Sequence, residues 1–361
     1  MLERIAGQED AARIWQNTFF KFVGFEIFEV ANIKDVAKLA GVSISTVSRV
    51  VNQTAKVADY KQEAVHKAME SLGYRPNSFA KALVSKKSDT LGLVVGDLGD
   101  PFFGLLARGV ESVAQSRSLQ LLISSGHHEP DMEARAISSL MERGCDALIV
   151  HSKALHDYQL MDLLSPHAAS VVINRKIQGA EGRCIYLDNI EAGELAVKHL
   201  LENGHRRVAF LSRDTDIDDL KDRYQGYQNA LMQAGIIPDS QLIGTGTPDE
   251  QGGYRATMDL LDRDTQFTAV FAYNDAMAAG CLSALSDRRL KVPDDISLIG
   301  FDDVHFARFM TPKLTTIHYP IELMGERAAQ LALKLGGLPV SSPGELRFEP
   351  SLIKRDSVTA S

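Results

Sequence analysis

One short segment of the chain carries polar side chains at a spacing that puts them on one face of a helix. In SISTVSRVVN, residues 43–52, the apolar side chains Val47, Val50 and Val51 recur at helical spacing. The other face holds short hydroxyls and one guanidinium, at Ser45, Thr46, Ser48 and Arg49. Such groups donate to phosphate oxygens and base edges, and an arginine can bond guanine through two hydrogen bonds. This face therefore predicts contact with nucleic acid.

Other chemically suggestive motifs are weaker. GTGTPD, at Gly244, lacks the third glycine of a dinucleotide-binding turn. The cluster His127, His128 and Glu129 has no further ligands at metal-binding spacing, so a strand-end loop is the better interpretation. No Ser/His/Asp or Cys/His motif stands in a recognisable frame, and neither paired acid/base groups nor a phosphate loop are found. We therefore expect no metal, no cofactor and no catalytic activity.

The polar helix is the second of two helices joined by a tight turn. The first spans IKDVAKLA, Gly41 suits a left-handed turn, and Ser43 is placed to cap the second helix. A third helix is predicted from about Asp59 to Leu72 and closes at Gly73. Any pair of helices can imitate part of this pattern, but the three together predict a helix-turn-helix domain over residues 32–76. A further short helix, within residues 77–89, predicts a hinge.

Beyond Thr90 the sequence pattern changes to apolar runs of five to eight residues that alternate with predicted amphipathic helices. This alternation predicts βαβ units around parallel sheets. Two such series occur, and CIYLDN and LTTIHYP cross between them. Residues 90–361 are thus expected to form an α/β, doubly wound, two-lobed domain resembling periplasmic binding proteins. The tail from Glu345 has no leucine heptad, so a dimer is expected rather than a coiled-coil tetramer.

Charge is segregated along the chain, whose net charge is −8 over 361 residues. Residues 32–88 contain ten Lys and Arg against four Asp and Glu, a net +6, so the remainder carries −14. A basic head on an acidic body favours phosphate contact by the head alone. Hydrophobic residues at 45% and charged residues at 24% are typical of a globular protein. Three scattered cysteines without a CxxC pair favour a reducing cytoplasm, where the protein would associate with the nucleoid.

The first 31 residues include FFKFVGFEIFEV, which is too short and too charged to span a bilayer. The order of a signal peptide is also missing, so no export and no membrane association are expected. We interpret residues 1–31 as an extension from a misassigned upstream start, with initiation near Val30. Mass spectrometry of native protein beginning at Met1 would contradict this hypothesis.

The strings DVAKLAGVSISTVSRVVN, YRPNSFAKAL, VFAYNDAMAAG and SLIGFDD resemble the LacI/GalR family of bacterial repressors over residues 32–358. GLVVGDLGDPFFG, ALIVHSKAL and LTTIHYPI are most similar to its galactose repressors. The resemblance implies a homodimer whose two heads read the half-sites of a pseudo-palindromic operator in double-stranded DNA. A small sugar bound between the lobes, expected to be D-galactose, would lower operator affinity.

The resemblance also implies roles for individual residues of the head and hinge. Ile44, Ser45 and Arg49 fall where family members contact base edges. Phosphate contacts fall on Ser43, Thr46, Ser48 and Asn52. In the hinge, Leu83 would wedge into the central minor groove, accompanied by Ala80 and Lys81. Simple packing of Leu83 against the body is the alternative.

The residues that the resemblance assigns to the effector are Phe102, Phe103, Asn174, Arg223, Asn274 and Asp302. An aromatic face would cover the ring C–H groups of a sugar, and the polar groups would bond its hydroxyls. Phe103 is expected to line the cleft and Phe102 to fill core. Arg223 could instead pair with a neighbouring acid, and Asp302 could cap a helix.

Three competing functions remain open at this point. A sugar-binding transport protein shares the body's architecture, but it would need an export signal and would have no use for a helix-turn-helix. An α/β enzyme acting on a sugar is possible because fold alone does not fix function. Within the repressor interpretation, the effector could be another pentose or hexose, or a nucleoside.

Overall fold

The computed structural model of the chain describes residues 31–52, 55–75, 87–263, 265–340 and 344–361. Its contacts divide the chain after residue 86 into two compact units, a helical head and an α/β body. Within the described ranges, every helix is too short or too polar to traverse a lipid bilayer.

The head contains three helices, α1 (Ile33–Ala40), α2 (Ile44–Asn52) and α3 (Asp59–Ser71). Helix α1 begins with a capping box, in which Asn32 Oδ1 accepts from the Lys34 N–H at 2.9 Å and Asp35 Oδ2 accepts from the Asn32 N–H at 2.9 Å. Gly41 follows α1 with a φ of 66°, a conformation that glycine adopts without steric cost. A small core that includes Val36, Val47 and Val65 fixes the angle between the helices.

The body consists of two lobes, each built on a six-stranded sheet. The first sheet has the order β11-β5-β4-β3-β1-β2, and all of its strands are parallel. Its strands are β1 (Thr90–Val95), β2 (Gln120–Ser125), β3 (Ala147–Val150), β4 (Ser170–Ile173), β5 (Cys184–Leu187) and β11 (Arg347–Phe348). Its helices are α4 (Pro101–Ser116), α5 (Pro130–Glu142), α6 (Asp157–Leu164) and α11 (Ile321–Leu335).

The second sheet has the order β12-β10-β9-β8-β6-β7, with only β12 antiparallel to its neighbour. Its strands are β6 (Val208–Arg213), β7 (Ile243–Gly246), β8 (Ala269–Ala272), β9 (Ser297–Asp302), β10 (Thr315–His318) and β12 (Ser351–Ile353). Its helices are α7 (Asn189–Glu202), α8 (Asp218–Gln233), α9 (Glu250–Asp262) and α10 (Asp275–Asp287). Short 3-10 turns occupy Glu181–Arg183, Ser240–Leu242 and His305–Phe309.

The chain passes between the lobes three times. It crosses after β5 into α7, returns after β10 into α11, and crosses again between β11 and β12. The first two crossings lie where the sequence predicts them. The third was not predicted, because strands of two and three residues carry no periodic pattern. Parallel strands direct their carboxyl ends to one edge of each sheet, and these two edges face each other across a cleft.

Candidate functional site

The polar face of α2 is built as the spacing predicts. Val47 and Val50 are buried, whereas Ile44, Ser45 and Arg49 are exposed. Ser43 Oγ accepts a hydrogen bond from the Thr46 N–H at 3.2 Å, which leaves the start of the helix capped. Asn52 Nδ2 donates to Ser48 Oγ at 3.2 Å, so these two partly buried side chains bond each other along the helix. Ala80, Lys81 and Leu83 lie outside the described residues.

The interlobe cleft of the body has a volume of about 580 Å³. All six side chains predicted to bind the effector line it, three from each lobe: Phe102, Phe103, Asn174, Arg223, Asn274 and Asp302. Their role in binding stays a prediction, but the fold does bring them together. Asn174 directly follows β4 and Asp302 ends β9, with φ values of 60° and 104°. Such backbone strain in non-glycine residues is concentrated at functional sites.

The aromatic wall of the cleft comes from the first turn of α4. Asp100 caps this helix by accepting from the Phe102 N–H at 2.9 Å, and Pro101 occupies the first helical position. The rings of Phe102 and Phe103 lie 5.3 Å apart, edge to face. Both rings line the cleft and both are buried in the hydrophobic core, so the expected division between them is not seen.

Arg223, in the second lobe, is held by contacts on several sides. Its guanidinium carbon lies 3.6 Å from the centroid of the Phe301 ring. Its Nη1 donates to the Tyr273 carbonyl at 2.6 Å, and its Nε donates to Asn189 Oδ1 at 3.0 Å. Among the described residues, no acid of its own helix lies within ion-pair distance. Its ion-pair partner is Asp302 of β9, whose Oδ1 lies 3.7 Å from Nη2. Burial raises the pKa of Asp302 well above its usual value, although Arg223 acts in the opposite direction.

Asn274 uses its side chain within the protein. Its Oδ1 accepts from the Met277 N–H at 2.8 Å and so caps α10. Its Nδ2 donates to the Pro248 carbonyl at 2.9 Å, which ties α10 to the loop after β7. Asn274 lines the cleft, and among the described residues these two bonds leave one proton and one lone pair of its amide without a partner.

Several cleft residues were missed by sequence reasoning. His128, His151, Arg213, Asp219 and Tyr273 all line the cleft. The two histidines follow β2 and β3, so the rule that ligands bind at strand carboxyl ends could have found them. Burial, with a smaller effect from Arg213, lowers the pKa of His128 to about 4. Burial, with a smaller effect from Lys153, lowers the pKa of His151 well below its usual value. Both imidazoles are therefore neutral at physiological pH.

Four buried polar atoms around the cleft have no hydrogen-bond partner among the described residues. They are His128 Nδ1, His151 Nδ1, Arg213 Nε and Asp302 Oδ1. A buried polar group without a partner costs about 1–3 kcal/mol, and such groups are rare in native proteins. Their concentration at one cleft indicates a site for a polar ligand.

A helical head with an exposed polar helix and a two-lobed body with a polar cleft define a ligand-responsive DNA-binding regulator. A family model described as bacterial regulatory proteins, lacI family, matches residues 32–77. One described as a periplasmic binding protein-like domain matches residues 197–358. The chain belongs to the lacI family, and it is a DNA-binding transcriptional repressor with a sugar-binding domain. The family and fold class predicted from the sequence are thereby confirmed.

Individual relatives support this assignment. The HTH-type transcriptional regulator GalR of Escherichia coli K12 is 46% identical over 331 residues, which cover 91% of this chain and 96% of GalR. The Lac repressor dimer bound to operator and the anti-inducer ONPF has a TM-score of 0.80 at 26% identity and covers 92% of this chain and 100% of its own. A LacI family regulator of Enterococcus faecium with bound ribose has a TM-score of 0.67 at 30% identity and covers 75% and 99%, respectively.

Proposed function

We propose that this repressor releases its operator when a neutral sugar, D-galactose, binds in the interlobe cleft. The observation that carries the proposal is the set of four unpartnered polar atoms around the cleft, at His128, His151, Arg213 and Asp302. Hydroxyl groups both donate and accept, so a sugar could satisfy imidazole, guanidinium and carboxylate together. The Phe102 and Phe103 rings would cover its apolar C–H face.

The mouth of the cleft favours a neutral ligand over an anion. Four exposed carboxylates line it, at Asp97, Asp214, Asp249 and Glu250. They would repel a sugar phosphate or a sugar acid as it enters. Galactose is chosen among neutral sugars because GLVVGDLGDPFFG, ALIVHSKAL and LTTIHYPI resemble strings of galactose repressors, and GalR is 46% identical. Another pentose or hexose, or a nucleoside, is the competing effector within the same mechanism.

On the DNA side, we propose that the head, residues 32–76, reads a half-site through Ile44, Ser45 and Arg49. Ser43, Thr46, Ser48 and Asn52 would contact phosphates and so fix the register. Residues 77–89 would form the hinge, in which Leu83, Ala80 and Lys81 enter the minor groove. Two subunits would bind a pseudo-palindrome as a homodimer, since half-site symmetry mirrors the two-fold symmetry of the protein.

The mechanism that follows is a closure equilibrium. Sugar bound to both lobes of a subunit favours their closed arrangement. In the dimer, closure would move the first lobes of the two subunits relative to each other, so that the two hinge segments no longer fit the operator. The coupling free energy in such systems is about 1–3 kcal/mol, and operator must weaken sugar binding by the same factor. An export-dependent transport role would leave the polar face of α2 without a function.

The proposal is tested by measuring operator binding with fluorescence anisotropy at fixed salt concentration. The DNA duplex is taken from the region upstream of the gene that encodes this chain. We expect D-galactose to weaken specific binding at least several-fold, and D-glucose, its C4 epimer, to do so much less. Specific binding that no galactose concentration changes would overturn the effector assignment alone. If no duplex is preferred, the assignment of the recognition helix is wrong.

A further inference from the structure

A buried ion pair joins the two lobes behind the cleft. Lys153 follows β3 of the first lobe, and Asp219 lies in the first turn of α8 in the second. Lys153 Nζ lies 2.6 Å from Asp219 Oδ1, and the two side chains are 1% and 7% exposed. Burial acts to raise the pKa of Asp219, but Lys153 and Arg223 outweigh it, so its pKa lies below the usual value. We call this pair the interlobe ion pair.

The interlobe ion pair fixes the orientation of Asn174. Asn174 Nδ2 donates to Asp219 Oδ2 at 3.0 Å, and Asn174 Oδ1 accepts from the Tyr319 hydroxyl. Lys153 Nζ also donates to the Asn174 carbonyl. Because a carboxylate only accepts, Asp219 determines which side of the Asn174 amide carries its protons.

The same orientation sets the tautomer of His151. Asn174 Nδ2 lies 3.3 Å from His151 Nε2, which must therefore accept. A neutral imidazole with an accepting Nε2 carries its proton on Nδ1. His151 Nδ1 is one of the four unpartnered atoms around the cleft, so the ion pair determines that this atom is a donor.

Lys153 acts on the cleft only through other residues. It lines a second cavity of about 450 Å³ but not the interlobe cleft, whereas Asp219 and Asn174 line both. A buried carboxylate, Glu133, holds its loop by accepting from the Lys153 N–H at 2.9 Å and from the Ala154 and Leu155 N–H groups at 3.1 Å. The lysine is thus rigidly presented to the opposite lobe.

We propose that Lys153 is a positioning residue for the effector: its ion pair with Asp219 holds the lobes closed and orients Asn174 and His151 toward the sugar. The proposal rests on the proposed function, because it concerns the same cleft. Opening the lobes would separate two charges that are almost fully buried in this structure, and it would release the Asn174 amide. Sugar affinity should therefore depend on a side chain that never contacts the sugar.

The test compares Lys153→Met with Lys221→Met, a matched control that removes an exposed lysine of α8 paired with Asp216. We expect Lys153→Met to raise the galactose concentration that half-releases operator by about tenfold or more, within the usual 5–150-fold range of allosteric coupling. Sugar-free operator affinity should equal or exceed that of wild type, since the closed arrangement that the ion pair favours is the one that releases operator in the proposed mechanism. A merely structural defect would lower the operator affinity as well as the sugar affinity.

Asp219→Asn and the double variant, which carries both Lys153→Met and Asp219→Asn, complete a double-mutant cycle. The double variant should respond to sugar like the single variants, because both substitutions remove one interaction. If Lys153→Met fails to fold, Asp219→Asn, which keeps the volume at this position, carries the test. The proposal would be overturned if these variants folded and responded to sugar like wild type. It would also be overturned if the shifts of the two single variants added fully in the double variant.

A sugar-independent measurement separates this proposal from the proposed function. Amide hydrogen exchange over residues 152–155 and 217–221, recorded without sugar, should be faster in Lys153→Met than in Lys221→Met. If the operator affinity of the wild type responds to no sugar, the effector assignment fails. The exchange comparison would still show whether the ion pair holds the lobes together. Equal exchange in the two variants would show that the pair does not hold the lobes together.

Discussion

Arg223 Nη2 lies 3.7 Å from Asp302 Oδ1, close enough for an ion pair but too far for a hydrogen bond. The carboxylate atom is buried and has no hydrogen-bond partner among the described residues. Arg223 is held in place from behind by the Phe301 ring and by Asn189. A sugar hydroxyl that donates to Asp302 while accepting from Arg223 would complete the arrangement.

Replacement of Arg223 by Gln should therefore abolish most of the sugar response. Loss of charge-assisted bonds to the ligand should weaken sugar binding by roughly 2–3 kcal/mol, measured by calorimetry. Operator affinity without sugar should change little. Arg288→Gln is the control, because that arginine is partly exposed and pairs with Asp262 on the surface. Unchanged sugar affinity in Arg223→Gln would remove this residue from the site.

Replacement of Arg49 by Ala should reduce sequence discrimination by the head. Arg49 is exposed on α2, and a bidentate contact to guanine contributes about 1–3 kcal/mol of discrimination. Lys67→Ala removes the same charge from the exposed face of α3, where it pairs with Glu63. Anisotropy with operator and with scrambled DNA should show a lower specificity ratio for Arg49→Ala alone. Equal ratios for the two variants would mean that Arg49 contacts only phosphate.

Much of this architecture could be predicted from local sequence signals. Gly41 and Ser43 mark the turn and the cap of the head, and apolar runs mark the buried parallel strands. Asn174 and Asp302 were assigned through the family resemblance, and their places at the carboxyl ends of predicted strands, where α/β folds bind ligands, agreed with it. Other features depend on contacts between distant segments. Lys153 and Asp219 are 66 positions apart and meet only because two lobes close, so no periodicity reveals them.

The neutral state of His128 predicts a specific pH dependence of stability. Its pKa is about 4 in the folded protein and about 6.5 in an unfolded chain, so as the pH falls the unfolded chain binds the proton first. The unfolding free energy should therefore fall from above pH 6.5 towards pH 4. His128→Gln cannot titrate, so wild type should lose about 2 kcal/mol more than the variant between pH 7 and pH 5.

Urea unfolding at the two pH values measures this difference, in which carboxylates with raised pKa values, such as Asp302, largely cancel. The two cleft imidazoles should contribute no pH dependence to the sugar affinity of the wild type between pH 6 and pH 8, because neither titrates there. Parallel stability profiles for wild type and His128→Gln would show that folding does not lower the pKa of His128.

Two glycines of α4 provide a paired test of how the first lobe is packed. Gly104 faces open space in the helix, and a Cβ there would meet no atom within 4 Å. Gly104→Ala should stabilise the protein by about 0.5–1 kcal/mol, because glycine loses more backbone entropy than alanine in a helix. Gly109, one and a half turns later, packs against α11, and a Cβ there would overlap the carbonyl oxygen of Glu322.

Gly109→Ala must therefore push α4 away from α11, the helix that brings the chain back from the second lobe. Overpacking of this kind typically costs about 1–3 kcal/mol, so the two alanine variants should move the unfolding free energy in opposite directions. The pair shares helix, substitution and helix propensity, so their difference isolates the contact between α4 and α11. Urea denaturation of the purified proteins measures it, and a shift of the same sign in both variants would contradict the close approach of these helices.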